Sequence, residues 1–440
     1  MNERGILTRR SLLRASAAVT AAAVMSVREG GPALAQAKLS GKVVYWGGLI
    51  FSDEANKLLK STVTAWGEAN GVETEVVMIN QNETVQKVSA AVASGTLPDA
   101  MDINLDLLLP LSLQGVFLAL DDVYDAVGNQ QGGWYEGVDR AVSGQAFPGG
   151  RTGIPFGVSG NLLLRRRDIL EASGYKYAPR TWDELAQQAA AVSGKGVYGL
   201  GLALSNVPDG NVQINVLQSF GGRIADDAGR TVTIRSAETR AYLRWIKENW
   251  DKGLFPPGNV IWDGAGDNQA YLSGQAAFIA NTGSVGIAAR NQDPELYAGS
   301  AFTPLPAGPK GLISPFIPQL RAIPKSSQNA GAAKALVLHL SQPEFLREYY
   351  KVAIYGPVLK SQKAFEAFNG GDPILTALLE LAETGTAPAY PDVYNAAYGE
   401  MLNNFVVPKM VQRVVIDNWD FDRAMDEAQG QAEGIYGKYN

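Results

Sequence analysis

The sequence predicts an α/β protein of two domains, and three observations carry that expectation. Short β-branched and aromatic runs alternate with helix-length amphipathic segments from about residue 43 onward, the pattern of a parallel sheet covered by helices. The 440 residues exceed what one hydrophobic core organises, so the chain should divide. There are no cysteines, so neither disulfides nor thiolate metal ligands staple the fold, and its stability must come from apolar cores.

The first segment is an address. Thr8-Arg9-Arg10-Ser11-Leu12-Leu13-Arg14 precedes a small apolar run from Ala15 to Val27, and Ala33-Leu34-Ala35 and Ala35-Gln36-Ala37 offer A-x-A cleavage sites. The paired arginines resemble the twin-arginine class of export signals, whose cargo crosses the membrane folded. The apolar run is too short and alanine-rich to span a bilayer. Residues 1–37 are therefore expected to be a signal peptide.

Val43-Val44-Tyr45-Trp46 reads as a strand ended by Gly47-Gly48, after which Ser52-Asp53-Glu54 caps a helix carrying Leu58, Leu59, Val63 and Trp66 at helical spacing. Glu73 to Ile79 is a second strand, Asn80-Gln81-Asn82 a polar loop, and Val85 to Ala93 a helix stopped at Ser94-Gly95-Thr96-Leu97-Pro98. Ala100 to Asn104 is a third strand. Ligands of such sheets sit at the carboxyl ends of the strands, here Trp46-Gly47-Gly48, Asn80-Gln81-Asn82 and Asn104-Leu105-Asp106.

Further along, Gly153 to Asn161 is extended and glycine-punctuated, Leu162-Leu163-Leu164 is a buried strand, and Asp168 opens a short helix. Thr181 with Glu184 forms a capping box. Val197 to Leu202 and Ala276 to Ala280 read as strands, Val212 to Phe220 and Thr239 to Trp250 as helices, and the last hundred residues as mainly helical, broken at Ala387 to Tyr394.

Charge and composition narrow the chemistry. The chain holds 38 Lys and Arg against 44 Asp and Glu; without residues 1–37, which contain five basic and two acidic residues, 33 face 42, a charge of −9. Such a protein is a poor partner for nucleic acid or anionic lipid. The one histidine, His339, lies near the end of an apolar helix, which argues against zinc sites and Ser-His-Asp hydrolysis. Gly47-Gly48 and Gly221-Gly222 are not phosphate loops. Arg165-Arg166-Arg167, the densest basic run, reads as a solvated stretch rather than an anion site.

Several segments, in order, resemble the extracellular solute-binding proteins of ABC importers, the family that includes maltose- and oligosaccharide-binding receptors. They are Ser94-Gly95-Thr96-Leu97-Pro98-Asp99, Leu113 to Asp122, Ile154-Pro155 with Leu162 to Asp168, Pro179-Arg180-Thr181-Trp182-Asp183-Glu184-Leu185, and Tyr271 with Ser273 to Phe278. The resemblance implies a two-lobe periplasmic-binding-protein fold with discontinuous lobes, a hinge and a ligand cleft. Lobe one would comprise 38–156 and 316–362, lobe two 157–315 and 363–440, with crossings near Phe156–Asn161 and Pro315–Gln319. It further implies a periplasmic monomer that passes a small molecule to permease subunits, with no cofactor, metal, nucleic acid or stable membrane insertion.

Sugars present hydroxyls that suit carboxylates, amides and hydroxyls, and C–H faces that stack on aromatic rings. Candidate contacts are Trp46 and Gly47 after the first strand, Asn82 after the second, and Asn104 and Asp106 after the third. Trp46 could instead plug the sheet end, Asn82 could be ordinary loop solvation, and Asp106 could cap the next helix. The resemblance adds Ser159, Asn161 and Gln319 on the crossings, the loop Asn281-Thr282-Gly283-Ser284, and Tyr355 and Tyr394 from the C-terminal part. Trp262 could form a second wall or a surface cap. In many sugar receptors a tryptophan follows the glycine of the 281–284 loop; its absence here shifts that loop toward hydrogen bonding. Polyamine, phosphorylated-polyol and amino-sugar cargo remain alternatives. So does an exported polysaccharide-cleaving enzyme using Asp102 with Asp106, or Asp121 with Asp122.

Overall fold

A computed structural model describes residues 39–50, 52–143, 147 and 149–439, and the backbone alone at 81 and 82; the export signal lies outside the described residues. Residues 40–440 form one compact unit built on two sheets. The first has the order β2-β1-β3-β11-β4 and the second β6-β7-β5-β8. The strands of the first are β1 (Lys42–Leu49), β2 (Glu73–Asn80), β3 (Ala100–Asn104), β4 (Ile154–Gly160) and β11 (Phe316–Ala322). Those of the second are β5 (Leu162–Arg166), β6 (Tyr198–Leu200), β7 (Ala276–Asn281) and β8 (Ser300–Thr303). A small hairpin of β9 (Ala307–Gly308) and β10 (Gly311–Leu312) pairs separately.

The expected β-α-β-α-β start is present, but the sheets are mixed, not parallel. β1 pairs parallel with β2 and β3, while β11 runs antiparallel to β3 and β4. In the second sheet β6 and β7 are parallel and β5 is antiparallel to β7 and β8. The physical reason lies in the crossings. Parallel neighbours need a helical crossover. β11 instead comes straight from the other lobe, so it meets the first sheet at the carboxyl ends of β1–β3 and must run the opposite way.

Local chemistry explains the first elements. Ser52 caps the helix Asp53–Asn70 by accepting the Ala55 N–H, and Gly71 closes it in the left-handed region at φ 69°. Leu59 and Val63 of that helix are fully buried. β1 continues three residues past Trp46, so the glycines expected to end it lie inside the strand. A Cβ on Gly47 would stand 2.9 Å from Met78 Sδ and 3.0 Å from Leu59; the glycine lets helix and sheet approach. The expected loop at Asn80-Gln81-Asn82 is absent too, because the helix Gln81–Ser94 begins directly after β2.

The second lobe is held by a core containing Trp182, Leu185, Leu217, Tyr242, Trp245, Phe278, Val411 and Met425. Thr181 caps the helix Trp182–Val192 by accepting the Glu184 N–H at 3.1 Å, and Glu184 reaches back to the Arg180 N–H at 2.7 Å, one residue beyond the expected reciprocal bond. The basic run is not solvated throughout. Arg165 is 7% exposed, because β5 is central in its sheet, whereas Arg166 pairs with Asp168 and Arg167 donates to the Ala298 carbonyl. His339 ends the helix Ala330–His339 and is exposed. Among the described residues no helix is long and apolar enough to cross a membrane.

Candidate ligand-binding cleft

The carboxyl ends of β1 and β3, the crossing strands β4 and β11, and the N-terminus of the helix Ser284–Gln292 converge. They enclose a cavity of about 230 Å³ that brings together Asn104, Ser159, Thr282, Ser284, Gln319 and Tyr355. Asn104 is the last residue of β3 and the N-cap of the helix Leu105–Leu113, yet its side chain makes no capping bond. The Gln319 amide donates to Ser159 Oγ at 3.1 Å across β11 and β4, and the Thr282 and Ser284 hydroxyls share a hydrogen bond of 2.7 Å. Tyr355 is 7% exposed and meets Phe156 edge-on at 5.9 Å. Gly157 makes room for it, since a Cβ there would lie 2.8 Å from the tyrosine. Burial raises the Tyr355 hydroxyl above its usual range, so it stays protonated.

Apolar walls come from residues that the sequence did not single out. Ile50 and Ile354 line this cavity, and Ile317, 46% exposed on β11, faces both this cavity and the next. Ile354 adopts φ 56° at the end of the helix Pro343–Ala353, a left-handed conformation that a β-branched residue rarely takes. No local signal announced it.

A second compartment of about 210 Å³ lies across Ile317 and includes Asn161, Asp106, Asn211, Asn215, Tyr394 and Pro388. Asp106 projects from the first lobe and accepts a hydrogen bond from the Tyr394 hydroxyl, while Tyr394 packs on the core of the second lobe and lies 5.7 Å from the Tyr398 ring. Tyr394 precedes the helix Ala396–Asn403 and is not part of it. Burial, then the neighbouring carboxylate, raises its hydroxyl well above the usual range. This bond ties the lobes across the cleft. Tyr394→Phe should leave thermal stability within about 1 kcal/mol of wild type, because Asp106 is exposed and stays hydrated. It should widen the unliganded cleft, measured as a larger radius of gyration by solution scattering.

The remaining candidates fall elsewhere. Trp46 is half-buried in mid-strand opposite Val77 and Met101, and alternation turns it to the face opposite Tyr45 and Gly47. Asn82 is in the first turn of the helix Gln81–Ser94. Asn281 is buried, donating to Asp267 and Asn268 at 2.8 Å each, and so shapes its loop. Gly283 is the N-cap of the following helix, and a Cβ there would lie 2.5 Å from Ile374. Trp262 is half-buried over Gly266. Among the described side chains, Trp46, Gly47, Trp262, Asn281 and Gly283 do not line the two compartments.

Each carboxylate considered for hydrolysis has a partner. Asp102 is tied to Tyr45 and Arg321, Asp106 to Tyr394, Asp121 to Arg151 and Asp122 to Lys334. Burial raises the Asp102 carboxyl above its usual range, with the Arg321 guanidinium opposing that shift. No group of three or more His, Cys, Asp or Glu suited to a metal occurs among the described residues.

Two mixed sheets joined by crossing strands around a polar cleft define the class of two-lobe binding proteins. Comparison with known proteins identifies the family: residues 61–373 match the model of bacterial extracellular solute-binding proteins, and the chain belongs to that family. A Brucella abortus binding protein is 20% identical over 374 residues, covering 84% of this chain and 87% of the relative. A Sinorhizobium fredii protein named a "probable amino-acid ABC transporter periplasmic-binding protein" is 24% identical over 301 residues, 64% of each chain. Among solved structures, the sugar-binding protein MalE of Xanthomonas citri superposes with a TM-score of 0.75 at 21% identity, over 90% of this chain and 98% of that one. Maltose-bound MalE3 of T. maritima gives 0.72 at 20%, over 90% and 100%. The chain is thus a solute-binding protein of an ABC transporter, of a family placed outside the cytoplasmic membrane. Its family and structural neighbours bind rather than react.

Proposed function

We propose that this protein captures a neutral carbohydrate, a sugar, oligosaccharide or polyol, between its lobes and delivers it to a membrane permease without chemical change. The observation that supports this reading is the lining of the first compartment. Its polar side chains are amides and hydroxyls, its walls are aliphatic, and among the described residues no charged side chain lines it. That mixture matches a molecule with hydroxyl edges and C–H faces. A phosphorylated polyol would need a cationic partner to offset its desolvation, and a polyamine would have to compete with Tyr394 for Asp106 in the second compartment. The ligand-binding residues on this reading are Asn104, Ser159, Thr282, Ser284, Gln319 and Tyr355, with Asp106, Asn161 and Tyr394 across Ile317. The lobes are 38–156 with 316–362, and 157–315 with 363–440.

A thermal-shift screen against mono- and oligosaccharides, polyols, amino acids and polyamines tests the assignment. A ligand at a hundredfold excess over its Kd should add about 2.7 kcal/mol. A shift confined to amino acids or polyamines overturns the carbohydrate. We read residues 1–37 as a twin-arginine-type signal that exports the folded chain to the periplasm. Arg9→Lys with Arg10→Lys should leave the precursor in the cytoplasm on fractionation.

A further inference from the structure

Beneath the first compartment lies a narrower pocket of about 40 Å³, which shares Ile50, Asn104, Gln319 and Tyr355 with it. Its lining is mixed: Ile103, Phe156 and Leu320 add apolar faces, Gly48, Thr84 and Tyr349 complete the ring, and Asp102 supplies its acid group. That volume holds a water-sized group and little more.

The Asp102 carboxylate, whose side chain is 10% exposed, is only partly occupied. Oδ1 accepts the Tyr45 hydroxyl at 2.5 Å and lies 3.4 Å from Arg321 Nε. Oδ2 accepts the Gly48 N–H at 3.0 Å. A carboxylate offers about four lone-pair sites, so it can take one more donor from the pocket. Its charge is already compensated. Arg321 is fully buried behind it, lying over the Phe156 ring at 3.8 Å and donating to Tyr45 Oη at 3.0 Å and the Leu340 carbonyl at 3.2 Å. An ammonium group would therefore meet a neutral ion pair, whereas a hydroxyl would find a strong, desolvated acceptor.

We propose that this pocket is a specificity subsite for one primary alcohol arm, –CH2OH, whose methylene lies against Phe156 and Leu320 and whose hydroxyl donates to Asp102. A pocket of about 40 Å³ admits a one-carbon arm but not the sugar ring that carries it. The assignment rests on the carbohydrate reading above and adds to it which end of the sugar is read.

Gly48 provides a variant that leaves the ion pair intact. A Cβ there meets nothing nearer than Asp102, at 3.9 Å from its Cβ and 4.0 Å from Oδ2, so Gly48→Ala fits the fold and places a methyl in the pocket. Isothermal titration of wild type and Gly48→Ala would use D-glucose, D-galactose, D-mannose and maltose, the three hexoses each beside its 6-deoxy and its 6-amino-6-deoxy analogue. For any hexose that binds, the 6-deoxy analogue should bind wild type about ten- to hundredfold more weakly. Gly48→Ala should lose a similar factor for the parent sugars, maltose included, and little for the 6-deoxy sugars, with an unchanged melting midpoint. Equal binding of parent and 6-deoxy sugar, unaltered affinity in Gly48→Ala, or tighter binding of the amino sugar overturns the subsite while the carbohydrate reading stands. No binding by any of these sugars, with a thermal shift confined to amino acids or polyamines, overturns both.

Discussion

Arg321→Met is expected to destabilise the protein by about 3–5 kcal/mol at neutral pH, the cost of leaving a buried charge without its partner. Arg321 is fully buried in β11 and is the cation beside Asp102 on the adjacent strand β3. Methionine replaces the volume but not the charge. Burial already holds the Asp102 carboxyl above its usual range in spite of Arg321, and the substitution should raise it further. A carboxyl whose folded pKa lies above its unfolded value contributes stability at low pH and loses that contribution as pH rises through the folded value. The deficit should therefore be large at pH 7 and shrink toward pH 4, read as the urea midpoint of variant against wild type. Adding Asp102→Asn to Arg321→Met should recover a good part of the loss at pH 7. A deficit independent of pH, or no recovery in the double variant, would assign the cost to packing on Phe156 instead of to the ion pair.

Asp392→Ala should be comparably severe, at about 3–5 kcal/mol, and should act on the cleft as well as on stability. The Asp392 side chain is fully buried. It accepts from Gln218 at 2.8 Å, Arg223 Nε at 2.9 Å, and the backbone N–H groups of Ala225 at 3.1 Å and Ile224 at 3.2 Å. These bonds clamp the segment Ala387–Tyr394, otherwise short of regular structure, onto the second lobe. Without the carboxylate four donors lose their acceptor and the segment loses its anchor. Hydrogen exchange should accelerate across residues 387–395 ahead of the rest of the lobe, and any ligand reaching Tyr394 should bind more weakly. Protection unchanged in that segment would show that the packing of Ala389 on the core of the second lobe suffices to hold it.

Much of the fold was legible because it is written in short-range patterns. Ser52 and Thr181 cap helices where the local chemistry says they should, and the apolar runs of β2, β3, β5 and β7 appear as strands. What local pattern misplaced were the ends. Gly47 and Gly48 look like a strand stop, yet one packs against Met78 and Leu59 and the other lies beside Asp102; glycine marks close approach as often as a turn. Trp46 was read as a cleft residue on the strength of that false stop. Asn281 looked free to bind and is consumed by Asp267 and Asn268.

The cleft was legible in part for the same reason. Asn104 and Ser159 belong to strand ends and crossings, which topology alone sends to one edge, whereas Ile50, Ile317 and Ile354 are apolar residues indistinguishable in sequence from core. Asp102 carried even less signal, since nothing local to β3 says that Arg321, more than two hundred residues away, would pair with it.

By itself the sequence determined the α/β class, the order of most elements, the division into two lobes and the kinship to solute-binding proteins, because propensity, capping and apolar period act over a few residues. Only the tertiary structure decided the direction of β11, the pairing of Arg321 with Asp102, the tie between Asp106 and Tyr394, and which polar residues share a cavity. Those depend on contacts between segments far apart in the chain, where burial and electrostatics are set by partners that no local pattern names.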